Sequence, residues 1–243
     1  MLPDIVLPKF ELTLPITKQT LECRPYLVKE DKILLMAAQA GSLKEISSAT
    51  RQIINNCVLV PENFDCRDYP SLDVDFLFMN LRAKSVGEST DLEMTCQQNH
   101  NGEICGEDFN LVVRMDDVKL VDDLSDKRSF KIQLKGTNYG VQMKFTSYRA
   151  TMEYNEEDDE ITRDCRILYH SIDKIFDENS VYKIKEASFE EFLKWTENLS
   201  KQQYEQLIEF VESMPYHELQ LNHKCEKCGY EHDLKFKNVL DFF

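Results

Sequence analysis

Four of the eight cysteines lie in two segments that resemble each other, and this pairing constrains the fold more than any other feature of the sequence. In the first segment, TDLEMTC is followed by eight residues and then by CGEDFNLVV; in the second, HELQLNHKC is followed by two residues and then by CGYEHDLKF. Each segment contains an alternating strand, a cysteine, a turn, and a Cys-Gly pair that opens another alternating strand. Because glycine has no Cβ, it permits the chain to turn back towards the preceding thiolate, as in a metal-binding knuckle.

The two Cys-Gly pairs predict one tetrahedral zinc site. The candidate ligands are Cys96, Cys105, Cys225 and Cys228. The eight-residue gap in the first pair is longer than the usual two to four, so two alternatives stay open: His100 replaces Cys96 or Cys105, or no metal is bound. Two hairpins that meet at one ion would form a zinc-ribbon-like module, with halves at residues 88–114 and 217–236. Four protein ligands leave no position for water, so the predicted zinc is structural and not catalytic.

The remaining cysteines and the N-terminus argue for a reducing compartment. The sequence has no apolar run of membrane-spanning length, and MLPDIVLPKFELTLP lacks the basic and apolar regions of a signal peptide. We therefore expect the protein to stay where it is made, with its cysteines reduced. The isolated ones are expected to be ordinary buried thiols, namely Cys23, Cys57, Cys66 and Cys165.

The first 87 residues predict two strands and three helices. Lys9 to Leu14 and Thr20 to Tyr26 are strand-like. The first helix has acidic residues in its first turn and stops at Gly41. The second is capped by Ser42 and carries an inward apolar stripe formed by Leu43, Ile46, Ala49, Ile53 and Ile54. The third is capped by Ser71, ends at Gly87 and is apolar on nearly every side, which predicts a central position.

The rest of the chain predicts a small antiparallel sheet followed by helices. The period of two from Thr90 to about Tyr148 indicates the sheet. The acidic run Asn155 to Glu160 is interpreted as a solvated loop or helix start rather than a cation site. Helices are then predicted from Ile161 to Ile175, from Ser188 to Leu199 and from Ser200 to Met214. With 42% hydrophobic residues in 243, we expect a single α+β body over residues 1–243, helical with a small antiparallel sheet and the embedded zinc-ribbon-like module.

Catalytic patterns are missing from the sequence, which indicates a protein that is not an enzyme. Neither GxGxxG, GxxxxGK[ST], GxSxG, HExxH nor DxDxG occurs. His170 is expected at the surface or the edge of the core, and the other histidines lie in or beside the ribbon segments. Asp73 and Asp75 are two residues apart on a helix and so face different sides. We expect them to pair with Arg82 or Lys84 or to face solvent.

The charge balance argues against nucleic acid as a partner. The chain has 29 basic and 44 acidic residues and a net charge of −15, which repels a phosphate backbone. The residues that flank the knuckles are mostly acidic: Glu93, Glu103, Glu107, Asp108, Glu226 and Glu231, against Lys224 and Lys227. A zinc-ribbon adaptor of transcription or replication machinery remains the alternative function.

In the order of its features, the sequence resembles the baseplate family of T-even-type contractile-tailed bacteriophages, which includes a hub subunit and hub-assembly proteins. The resemblance rests on LPKFELTLP, RPYLVKEDKILLMAAQAG, FLFMNLRAKSVGE, the paired Cys-Gly knuckles and CEKCGYEHDLKFKNVLDFF. It implies a viral protein that binds other baseplate hub proteins, as a structural subunit or as an assembly factor. It also implies a location in the host bacterial cytoplasm during assembly or in the virion tail baseplate.

The end of the chain is a concentrated apolar cluster formed by Val239, Leu240, Phe242 and Phe243. Such side chains are costly to leave in water. They are either tucked into the core or presented to a partner, and we take them as candidate partner-binding residues. Self-association of the chain is left open.

Overall fold

The computed structural model describes residues 7–100, 102–122 and 128–237. Helices and small antiparallel sheets alternate along these residues, which confirms the α+β class. The helices are α1 (Val28–Ala40), α2 (Leu43–Cys57), α3 (Ser71–Val86), α4 (Arg149–Met152), α5 (Glu160–Ser171), α6 (Phe189–Thr196) and α7 (Lys201–Glu212). The strands are β1 (Phe10–Thr13), β2 (Thr20–Cys23), β3 (Val58–Val60), β4 (Ser89–Thr95), β5 (Asn99–His100), β6 (Glu103–Ile104), β7 (Asp108–Arg114), β8 (Lys119–Val121), β9 (Lys131–Gln133), β10 (Gly140–Met143), β11 (Ile172–Phe176), β12 (Val181–Lys183), β13 (Tyr216–Lys224) and β14 (Glu231–Phe236).

The strands form several small sheets, so the prediction of one sheet between Thr90 and Tyr148 was wrong. β4 pairs with β7, and β5 pairs with β6. β8 instead joins β13 and β14 in the order β14-β13-β8, and β9 and β10 join β11 and β12 in the order β12-β11-β10-β9. The alternating pattern identified strands, but two of the sheets take strands from much later in the chain. A fifth sheet, β1-β2-β3, lies at the N-terminal end.

The first three helices begin and end close to their predicted positions. α1 ends at Gly41, which has a left-handed φ of 71°, and α3 ends before Gly87. α2 follows Ser42, whose side chain makes no capping bond in the described structure. Its predicted stripe needs one correction: Leu43 in the first turn is exposed, whereas Ala49, Ile53 and Ile54 further along the helix are buried. α3 is central as predicted, with Leu77 and other apolar residues buried.

The described residues contain two large hydrophobic clusters. The first contains α2, α3 and the β1-β2-β3 sheet, together with Val113 of β7 and Leu219 of β13. The second contains β10, β11 and α5 to α7, with Leu168, Phe192 and Leu207 fully buried or nearly so. Because Val113 and Leu219 reach the first cluster, the bases of the β4–β7 and β13–β14 ribbons are anchored to it. The single body over residues 1–243 stays a prediction.

The helix predicted from Ile161 to Ile175 stops at Ser171, and the next five residues form β11. Ile172 and Ile175 are buried as the helical pattern required. They are buried in a strand instead of a helix, because β10 and β12 supply hydrogen-bond partners on both sides of β11. The predicted helices α6 and α7 are confirmed, and both begin with a serine in a capping box.

Among the described residues, no helix combines the length and the apolar character that crossing a membrane requires. The apolar cluster Val239, Leu240, Phe242 and Phe243 lies outside the described residues.

Candidate metal centre

The first knuckle, residues 96–107, is closed by a small hairpin inserted between its two cysteines. β5 and β6 pair within the gap, and the amide of Cys105 donates to the carbonyl of Gln98 at 2.8 Å. The amide of Cys96 donates to the carbonyl of Glu107 at 2.8 Å, and that of Gly106 donates to the carbonyl of Cys96 at 3.0 Å. The inserted hairpin therefore explains how cysteines with eight residues between them meet at one turn.

The second knuckle, residues 225–230, repeats this hydrogen bonding without an insertion. The amide of Cys225 donates to the carbonyl of Tyr230 at 2.8 Å, and the amide of Gly229 donates to the carbonyl of Cys225 at 2.9 Å. Gly229 and Gly106 both have left-handed φ values, 74° and 66°, which an L side chain adopts only with strain. The two knuckles are structural equivalents, as the sequence repeat predicted.

The knuckles bring the four predicted ligand sulfurs together. The Sγ atoms of Cys96 and Cys228 are 3.8 Å apart, and those of Cys105 and Cys225 are 3.7 Å apart. All four Sγ atoms lie within 4.8 Å of one another. Three of the cysteines are buried and Cys228 is half-buried. The described structure thus gathers a four-cysteine group that could hold a metal ion.

Backbone amides surround these sulfurs. Each Sγ atom accepts a hydrogen bond from the amide two residues further along the chain: Gln98 for Cys96, Glu107 for Cys105, Lys227 for Cys225 and Tyr230 for Cys228. Hydrogen bonds to sulfur favour the thiolate over the thiol. The arrangement therefore suits four thiolates that share one cation.

The four thiols nevertheless differ in acidity. The amide of Cys228 also donates to the sulfur of Cys225, and it is the largest cause of a lowered pKa of the Cys225 thiol, at about 7. Burial raises the pKa of the Cys96 and Cys105 thiols. A bound cation would remove this penalty, because it supplies the positive charge that buried thiolates lack.

Two further contacts join the halves of the module. The Nζ atom of Lys227 in the second knuckle donates to the carbonyl oxygen of Cys105 in the first, at 2.5 Å. The ring of Phe109 on β7 stacks on His223 of β13, with centroids 4.0 Å apart and planes 10° apart, and it also contacts His232 of β14. The β4–β7 and β13–β14 ribbons therefore meet face to face beside the cysteines.

Histidine takes no part in the cysteine group of the described residues. His100 is exposed on the inserted hairpin, where it pairs with Glu103 across the turn, so the variant with His100 as a ligand gains no support. His170, which was expected at the surface or the edge of the core, is almost fully buried, with Nε2 2.9 Å from a carboxylate oxygen of Glu153.

The inserted hairpin and the bridging Lys227 were missed in the sequence. The hairpin has a recognisable signal, since the Asn-Gly pair in QNHNGEI is typical of a tight hairpin turn. The contact of Lys227 has no comparable signal, because its acceptor lies 122 residues away in the chain.

The other four cysteines are buried free thiols, as expected. Burial raises the pKa of Cys23 to about 11 and that of Cys57 and Cys66 to about 12. Cys165 lies in the second hydrophobic cluster. With these raised pKa values, Cys23, Cys57 and Cys66 stay protonated at neutral pH, and protonated thiols are poor metal ligands.

Comparison with known proteins identifies the family. No curated protein and no solved structure is significantly similar to this chain. A family model described as T4 bacteriophage base plate protein matches residues 7–243. Because this match covers nearly the whole chain, the protein belongs to the T4 bacteriophage base plate protein family, which supports a structural role in the phage tail baseplate.

Proposed function

We propose that this protein is a non-enzymatic component of the tail baseplate hub, which acts through contacts with other phage hub proteins. The observation that carries the proposal is the family match over residues 7–243. The cysteine site agrees with it, because a centre closed by four protein ligands offers no position for a substrate. The protein would serve either as a resident subunit or as an assembly factor that acts in the host cytoplasm.

We infer that the ion held by Cys96, Cys105, Cys225 and Cys228 is zinc. A tetrahedron whose corners lie about 2.3 Å from its centre has edges of about 3.8 Å. Two of the sulfur separations, 3.7 and 3.8 Å, match that edge. A disulfide would instead require about 2.05 Å. Four sulfur ligands in a tetrahedron favour zinc or iron. We infer a single zinc, because the two knuckles supply four cysteines and the described residues contain no second cysteine cluster.

The proposed zinc would fasten the C-terminal ribbon to the middle of the chain. Cys105 and Cys225 are 120 residues apart. The apparent binding free energy of structural zinc is roughly 10–16 kcal/mol, whereas a whole domain is stable by about 5–15 kcal/mol. Zinc binding would therefore decide whether the zinc-ribbon-like module, residues 88–114 and 217–236, stays assembled.

The C-terminal residues Val239, Leu240, Phe242 and Phe243 are proposed to contribute to a partner contact. Deleting residues 241–243 should reduce co-purification with other hub proteins while the zinc content stays constant. Loss of folding would assign the residues to the core. If neither folding nor co-purification changes, the proposed contact is refuted.

Mass spectrometry of purified virions and of hub-assembly intermediates tests the proposed function. A resident subunit is present in both samples in a fixed ratio to other baseplate proteins, and an assembly factor is present only in the intermediates. Absence from both would contradict a role in the hub.

The adaptor alternative predicts nucleic-acid binding, which we do not expect. At a net charge of −15, and with exposed Glu103, Glu226 and Glu231 around the knuckles, DNA and RNA should be repelled. A gel-shift assay at physiological salt should show weak or no binding. Sub-micromolar affinity would favour the adaptor function.

A further inference from the structure

Helix α1 carries apolar side chains on its inward and its outward side, but only the inward side is covered. Its inward side includes Ala37, which is buried. Its outward side exposes Val28 to 72%, Leu35 to 56% and Met36 to 70% of their surface. Positions 28, 32, 35 and 36 share one side of a helix, and we call this surface, with Leu43 at the start of α2, the α1 face. Several exposed apolar side chains on one side of a helix indicate an interaction site.

The α1 face is rimmed by positive charge in a strongly acidic protein. Lys29, Lys32 and Lys44 are exposed along it. Within the described α1, Glu30 is buried and pairs with Arg24 at 3.1 Å and with Lys29 at 3.6 Å, and Asp31 is half-buried. Glu45 is the exposed acid beside Lys44. The charge on this face therefore favours an acidic partner, although the net charge of the chain is −15.

The same chain carries a surface of complementary character at the start of α5. Ile161 is 71% exposed in the first turn of the helix. It follows the acidic run 155–160, in which Glu156, Glu157 and Glu160 are exposed. The other two acids have local roles: Asp158 pairs with an arginine of α5 at 2.6 Å, and Asp159 caps the helix. Three exposed glutamates and an exposed isoleucine thus lie close together at the start of α5.

We propose that the α1 face binds the acidic start of α5 from a second copy of this chain. Opposite charges would meet around an apolar centre, with Ile161 entering the groove beside α1. That groove has a volume of about 220 Å³ and is lined by apolar side chains, among them Tyr26, Leu34, Leu35 and Ile46, together with the charged side chains of Asp31 and Arg82. This inference goes beyond the proposed function and does not depend on the metal.

The contact joins two different surfaces, so each copy in a dimer retains one free surface, and the dimer as a whole retains one of each kind. Such a head-to-tail interface closes into a ring or continues as a filament, depending on the rotation between copies. A stable interface buries about 800 Å² per partner. The side chains involved are few, so the association is weak and grows with protein concentration. Since charged rims contribute, it also weakens as salt rises.

Sedimentation equilibrium of the full-length, metal-replete protein over a range of concentrations tests the proposal. The variant Lys29→Glu/Lys32→Glu and the variant Glu156→Lys/Glu157→Lys should each weaken self-association by about tenfold or more, because like charges would then face each other. An equimolar mixture of the two variants should associate again, since each then offers the complement of the other. The matched control, Lys185→Glu/Lys194→Glu, changes net charge as much as the first variant but lies elsewhere on the surface, and it should behave like the wild type.

Metal content and circular dichroism of each variant show whether it is folded. Recovery of association in the mixture supports the interface directly, because misfolded variants would not recover. A wild-type protein that stays monomeric at all concentrations would overturn the proposal. So would association that is unaffected by either reversal.

Discussion

Cys225 and Cys165 are both buried cysteines, but their surroundings predict opposite consequences of substitution. Cys225 lies among three other sulfurs, whereas the Cys165 sulfur is 3.6 Å from the hydroxyl of Thr196. Serine at Cys225 or Cys228 should reduce bound metal from about one ion per chain to nearly none, because a neutral hydroxyl is a poor substitute for a thiolate ligand. Serine at Cys165 should leave metal content unchanged. Elemental analysis distinguishes these outcomes, and equal loss in all three variants would show that the ligands are misassigned.

His217 makes the stability of the protein depend on pH. It is almost fully buried on β13, with Nδ1 lacking a described hydrogen-bond partner. Burial lowers the pKa of His217 to about 4, although nearby Asp73 acts in the opposite direction. In the unfolded state, the imidazole of His217 takes up a proton near its usual pKa of about 6.5. Protonation therefore favours the unfolded state, and the free energy of unfolding should fall as pH falls from about 6.5 to about 4.

Urea unfolding at pH 7 and pH 5 measures this effect. Between these values the wild type should lose about 2 kcal/mol more than His217→Gln, which cannot take up the proton. The comparison between variants cancels the effect of acid on other groups, such as the cysteines. Equal pH dependence in the two proteins would contradict a buried neutral His217.

The hydrogen-bond partners of Asp73 could not be predicted from the residue pattern. The helical spacing placed Asp73 and Asp75 on different sides of α3, but the expected partners of Asp73, Arg82 or Lys84 or solvent, were wrong. Asp73 is buried and accepts hydrogen bonds from the amides of Ile16 at 2.7 Å and Thr17 at 3.0 Å. Those amides are 57 and 56 residues away, and periodicity within a helix carries no information about such distant partners.

The turns of the two knuckles require glycine because of their backbone conformation. Gly229 has a φ of 74° and has open space where a Cβ would lie. Gly229→Ala should therefore destabilise the protein through backbone strain alone, by about 1–2 kcal/mol. Gly229→Asn should cost less, because asparagine adopts the left-handed conformation more readily. Denaturant unfolding of the metal-bound variants measures both, and equal costs for alanine and asparagine would contradict strain as the cause.

Helix ends were predictable wherever the signal is local. Ser188 and Ser200 cap α6 and α7 through bonds to amides three residues away, and Gly41 ends α1. The boundary between α5 and β11 was missed because Ile172 and Ile175 fit an apolar helical face as well as a buried strand. The choice between the two depends on β10 and β12, which pair with β11 from either side.

For the whole molecule, the cysteine site could be predicted from the sequence, whereas the sheets could not. The repeated Cys-Gly pairs predicted the meeting of two segments 120 residues apart, because each segment contributes two of the four cysteines. The pairing of β8 with β13 lacked any such signal: Lys119–Val121 is short, and its partner lies near the other end of the chain. Of these two long-range contacts, only the meeting of the cysteine pairs was therefore predictable, because only there do the residue types themselves point to a distant partner.

Native mass spectrometry with elemental analysis of the purified protein tests the proposal that one zinc ion joins the two knuckles. We predict one zinc per folded chain and reduced cysteines, with removal of the ion by a chelator loosening the β13–β14 ribbon. A folded protein that contains no metal, that contains iron in place of zinc, or that joins these cysteines in disulfides would contradict the proposal.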